Sequence, residues 1–324
     1  MSYNSISKTR GMLMGTAMLL IILFHTSCVY PPVLDLIKNF GDFGVNIFFL
    51  ISGFSMYYAW QKKQEILYFY KKRFLRIGIT FLPIAVVWCM FSYVLHEITL
   101  AEAIRKILTI QFWVDGNLLH WFVSGILVFY LLTPPWMKLQ EKMPKFCLIL
   151  TVLGCGIAVI LPELGVSYIQ CFLQRVPTYF MGLYLGKASY EKKAMGKKEK
   201  AVVICLGIAG FICFALDGFN TLDYQYKYCI YLLLTIPVTF FLAFALEKLK
   251  EGRLTAILNF FGVITLEVYL LHEKVIKILG MVLGKLPVIL DERFIILNLV
   301  ALALVIPAAW IYHQITDKVY RKIQ

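Results

Sequence analysis

The chain has 324 residues, of which 60% are hydrophobic and only 16% charged. A water-soluble protein does not carry that balance, so lipid is the solvent for most of this chain. The formal net charge of +13 does not signal nucleic acid, because the basic residues fall in the short segments between apolar runs.

Crossing a hydrocarbon core of about 30 Å takes roughly 20 helical residues. Ten runs approach that length, near 11–29, 40–60, 77–96, 118–137, 146–164, 168–187, 201–217, 227–246, 254–274 and 294–314. The expected fold is an all-α membrane protein, a single bundle of about ten transmembrane helices. Little chain is left outside the runs, so 1–324 reads as one integral-membrane domain with no extracytoplasmic soluble domain. The first run, from Gly11 to Cys28, is long and meets no small-x-small cleavage site, and reads as a span rather than a leader.

Basic residues alternate from loop to loop. Lys8 and Arg10 precede the first run; Lys62, Lys63, Lys71 and Lys72 lie in the second loop, Lys138 and Lys142 in the fourth, Lys192 to Lys200 in the sixth, Lys248 and Arg253 in the eighth. Odd loops hold few, chiefly Lys38, Arg105, Lys106, Lys285 and Arg293. The positive-inside rule then predicts that both termini and the even loops are cytoplasmic.

Against this apolar background the polar residues stand out. His25 closes the first run in Leu23-Phe24-His25-Thr26, about 22 Å along a helix from Arg10. An imidazole at depth either bonds a backbone carbonyl or serves chemistry. Ser52-Gly53-Phe54 interrupts the second run with the small residues that permit close helix packing. Arg73 and Arg76, three apart on one helical face, open the third and are either topogenic or a phosphate clamp. Thr99 with Glu102 fits a capping box, and Ile104, Leu108 and Phe112 recur on one face, so a short surface helix is predicted there, a connector or a lid.

Arg175 sits mid-run in Gln174-Arg175-Val176-Pro177. Guanidinium does not shed its proton, so it needs a carboxylate, carbonyls, water or an anionic ligand, and Pro177 is expected to free a carbonyl beside it. Glu267 and His272 share the ninth run, but five residues turn them about 140° apart, and each is a structural hydrogen bonder or a functional group. His96, His120 and His313 lie near run ends and receive no role. The eight cysteines form no Cys-x-x-Cys and no spacing with His that marks a metal site, and read as small core residues. Walker, His-Glu-x-x-His, Gly-x-Ser-x-Gly and His-x-x-x-x-Asp patterns are absent, which removes ATPases, zinc proteases and serine hydrolases.

Taken in order, several segments resemble acyltransferase family 3, the integral membrane acyltransferases. They are Leu23-Phe24-His25, Phe48 to Phe54, Phe69 to Ile77, Leu119-His120-Trp121-Phe122, Arg175 to Gly182 and Leu266 to His272. The resemblance implies transfer of an acyl group, most often acetyl from acetyl-coenzyme A, to a hydroxyl of a cell-surface glycan or related envelope molecule. The acyl-coenzyme A is then a donor substrate rather than a permanently bound cofactor, and the protein is a multi-pass protein of a bacterial plasma membrane. The family's basic residue eleven positions before the His falls on Met14 here; Arg10, one turn further back, is the stand-in. Joined to the topology, the implied catalytic set is His25 as base or acyl carrier, Glu267 or His272 to orient it, and Arg175 or Tyr269 for the oxyanion. Arg73, Arg76 and Arg10 are the implied donor-binding cations. The rival reading is a transporter or flippase for an envelope precursor, which consumes no thioester.

Overall fold

The computed structural model describes residues 1–26, 32–160, 169–218, 227–283 and 290–323, and all regular structure among them is helical. In chain order the helices are α1 (Tyr3–Phe24), α2 (Pro32–Phe40), α3 (Phe43–Lys62), α4 (Ile66–Val94), α5 (Leu100–Ile107), α6 (Gln111–Asp115) and, after a 3-10 turn at Leu118–His120, α7 (Trp121–Lys142). There follow α8 (Pro144–Ile160), α9 (Gln170–Leu173), α10 (Val176–Tyr190), α11 (Lys197–Gly218), α12 (Lys227–Glu247), α13 (Arg253–Val263), α14 (Thr265–Leu283) and α15 (Leu290–Ile323).

Seven of these are long and apolar enough to cross a membrane, eight if α13 and α14, bent by 79° at their junction, count as one span. The expected ten is not reached among the described residues. The eighth helix is a shorter apolar one, and the run 168–187 is divided at Gln174 and Arg175 into α9 and α10. Pro177 therefore stands in the first turn of α10, where a missing N–H costs nothing, instead of loosening a mid-span ladder.

α1 begins at Tyr3, well before the expected boundary at 11, capped by the Ser2 side chain, which accepts from the Asn4 N–H. Its polar first turns hold because α12 answers them. The Glu247 carboxylate accepts from Ser5 Oγ at 2.5 Å and from Lys8 Nζ at 2.8 Å.

Small residues set the closest approaches. A Cβ on Gly53 of α3 would lie 2.1 Å from the Tyr179 carbonyl oxygen of α10, and one on Gly15 of α1 would lie 1.9 Å from the Leu258 carbonyl oxygen of α13. Neither site has room for any side chain, so backbone meets backbone there. The amphipathic segment forms as α5 with both bonds of its capping box: Glu102 N–H to Thr99 Oγ1, and Thr99 N–H to Glu102 Oε2 at 2.7 Å. That Thr99 N–H holds the Glu102 carboxyl below its ordinary range. The predicted apolar face does not survive intact. Thr109 adopts φ 60°, ending the helix, so Ile104 and Leu108 stay exposed while Phe112 is buried in α6.

Candidate functional site

A cavity of about 430 Å³ runs through the bundle between α1, α3, α4, α7, α10 and the α13–α14 junction. Met14 and His25 of α1 both line it. Eleven residues of α-helix rise about 16 Å, so the cavity is elongated along α1. The lining also includes Arg76, Thr80 and Tyr130, and Asp42, Trp121 and Glu273.

His25 is the C-cap residue of α1. Its Nδ1 lies 2.9 Å from the Ile21 carbonyl oxygen, and its Nε2 lies 3.0 Å from Glu273 Oε1. Both ring nitrogens thus lie within hydrogen-bond distance of an oxygen atom. His272 stands behind it, buried, its ring edge-on to His25 with centroids 4.7 Å apart. Its Nδ1 contacts the Val268 carbonyl oxygen at 2.9 Å, and its Nε2 has no hydrogen-bond partner among the described residues. One ligand atom from each of His25, His272 and Glu273 lies within 4.8 Å of the other two.

Glu267 lines the cavity but does not reach His25. Its Oε1 is 2.8 Å from His313 Nδ1 of α15, and both side chains are buried. The 140° between Glu267 and His272 sends them to different neighbours. The carboxylate at His25 is Glu273, which the sequence analysis did not single out. α14 continues to Leu283, so Glu273 is well inside it. His313 received no role because it lies near a run end, but α15 extends ten residues beyond it. The adjacency of His272 and Glu273 was the available signal.

Arg175 is 1% exposed and N-caps α10. Nη2 donates to Asp42 Oδ2 at 2.9 Å, Nε to Asn46 Oδ1 at 3.0 Å and Nη1 to the Cys171 carbonyl at 2.7 Å. The Trp121 ring lies 5.0 Å from the guanidinium. A buried cation held by a carboxylate, an amide, a carbonyl and a ring face is a fixed positive wall of the cavity.

Of the two arginines opening the third run, Arg76 lines the cavity. Its Nη1 donates to Asp317 Oδ1 at 3.0 Å and its guanidinium lies 5.2 Å from the Tyr320 ring. Arg73 lies outside that lining, with its guanidinium 6.0 Å from the Phe69 ring and its Nε without a hydrogen-bond partner among the described residues. Arg10 is exposed, and Met14 takes the cavity wall.

A family model described as an acyltransferase domain, of the acyltransferase 3 type, matches residues 13–313. The chain belongs to that acyltransferase family. It is a multi-pass membrane member of that family. The family match opens one residue before Met14 and closes on His313, so the whole cavity and the Glu267–His313 pair lie inside it, and Arg10 precedes it. A curated relative, acyltransferase MdmB of Streptomyces mycarofaciens, is 30% identical over 141 residues, covering 38% of this chain and 35% of that protein. The chain thus spans about a third of that relative's length. No solved structure matches the chain.

Proposed function

We propose that this acyltransferase moves an acyl group, acetyl foremost, from acyl-coenzyme A on the cytoplasmic side to a hydroxyl of a surface glycan or other envelope molecule. In this reading the bundle has ten spans with both termini cytoplasmic, and Arg76 marks the donor end of the cavity. The observation that carries the reading is an imidazole–carboxylate pair, His25 with Glu273, on the wall of an elongated cavity that the Arg76 guanidinium also lines.

A hydroxyl attacks a thioester poorly until a base takes its proton. The Ile21 carbonyl fixes Nδ1 of His25 as the donor, so Nε2 is the nitrogen that accepts. The acceptor hydroxyl displaces the Glu273 carboxylate from His25 Nε2, gives its proton to Nε2, and its oxygen forms the new C–O bond as the C–S bond breaks. The imidazolium so formed donates to the Ile21 carbonyl and the Glu273 carboxylate, and returns its proton to the departing thiolate. Glu273 is the orienting and charge-balancing partner. Arg175, already saturated by Asp42, Asn46 and Cys171, supplies a fixed positive field to the developing oxyanion.

The test is release of free coenzyme A by purified protein supplied with acetyl-coenzyme A and a glycan acceptor. Release that requires the acceptor, with an acylated glycan by mass spectrometry, is the expected result. Transport of the glycan without thioester consumption would refute the proposal in favour of a flippase.

A further inference from the structure

We propose that His25, His272 and Glu273 form a binding site for a zinc-type divalent ion, and that the ion, once bound, blocks acyl transfer. The inference goes beyond the acyl-transfer reading, and its inhibitory half rests on that reading.

His25 Nε2 and Glu273 Oε1 face each other at 3.0 Å while His25 Nδ1 is committed to the Ile21 carbonyl. A neutral imidazole nitrogen and a carboxylate oxygen at that distance are two potential ligand atoms side by side. His272 adds a third donor atom. Its Nδ1 is likewise committed to a backbone carbonyl, that of Val268, and its Nε2 is left with no partner among the described residues although the residue is 3% exposed. Carbonyl partners on Nδ1 are the outer-shell device that orients metal-binding imidazoles and leaves Nε2 free to ligate.

The geometry is close to what an ion requires. Ligand atoms about 2.0–2.1 Å from a tetrahedral zinc lie roughly 3.4 Å from one another. Here the three lie within 4.8 Å, so side-chain adjustments of about an ångström complete the set. Two imidazoles and a carboxylate select zinc, cobalt or a similar borderline ion over magnesium or calcium. The fourth position opens on the cavity, which His25 and Glu273 both line.

Coordination engages the Nε2 lone pair of His25 together with the Glu273 carboxylate. The lone pair that accepts the acceptor's proton is then occupied. A resting cell's donor and acceptor would meet in a cavity whose base is capped.

Purified, chelator-treated full-length protein in detergent is titrated with Co²⁺ and with Zn²⁺, without donor or acceptor. The expected result is one ion per chain, a visible cobalt absorption band, and affinity weakened by about tenfold or more in His272→Ala and Glu273→Gln. Glu273→Gln keeps a hydrogen-bonding group at His25, and thermal melting with size-exclusion profiles checks that both variants are folded. Absence of saturable binding, or unchanged binding in both folded variants, overturns the site and leaves the acyl-transfer reading standing. In the second arm Zn²⁺ is expected to suppress acceptor-dependent coenzyme A release, with recovery on chelation. Transfer that instead requires the ion overturns the inhibitory role.

Discussion

At the scale of single residues, charge placement decides the chemistry. His25→Ala is expected to lower acceptor-dependent coenzyme A release by about 10²–10⁴-fold, the range for losing a general base, with the folded bundle retained. Arg76→Ala is expected to raise the apparent KM for acetyl-coenzyme A while kcat changes less, because the guanidinium lines the cavity rather than the reacting end. An unchanged KM in initial-rate assays would make Arg76 a partner of Asp317 only. Glu267 calls for a different measurement, since it is buried against His313. Glu267→Ala leaves that imidazole unpaired at a cost of about 1–3 kcal/mol, read as a lowered Tm in detergent, and the double variant Glu267→Leu with His313→Leu is expected to recover part of the loss. His25, Arg175, Glu267 and His272 were all legible in the sequence as polar groups in lipid. Their pairing was not. Glu273 was not singled out and His313 stood near an apparent run end, whereas helices that outlast their apolar runs place both well inside α14 and α15.

At the scale of helices, apolar length located every long helix but not its ends. α1 starts in a polar segment because Glu247 of α12 satisfies Ser5 and Lys8, a partner 242 residues away along the chain that periodicity has no means to see. The break between α9 and α10 falls at Arg175, whose side chain meets Asp42, Asn46, Cys171 and Trp121. Close packing at Gly53 was readable from Ser52-Gly53-Phe54, yet the tighter approach at Gly15 was not singled out. Gly15→Val is expected to fail to fold or to lose several degrees of Tm, since its Cβ would overlap the Leu258 carbonyl and overpacking costs about 1–3 kcal/mol. A melting curve equal to that of the parent protein would show that α1 and α13 slide apart freely.

At the scale of the whole molecule, basic-loop alternation predicts a topology that labelling tests. Single cysteines placed at residue 2 and residue 322 of a cysteine-free variant are expected to react with a membrane-impermeant maleimide only after inverted-vesicle preparation or permeabilisation. Opposite accessibility at the two ends would separate donor and acceptor entry from the proposed sides of the cavity. The sequence by itself determined the solvent, the helical class and the family, because hydrocarbon admits only chains that satisfy their own backbone and tolerates few charges without cause. The tertiary structure alone decided which charges meet. Partners such as His25 with Glu273, or Arg175 with Asp42, lie on helices far apart in sequence, and their contact depends on helix rotation and end points that no local pattern encodes.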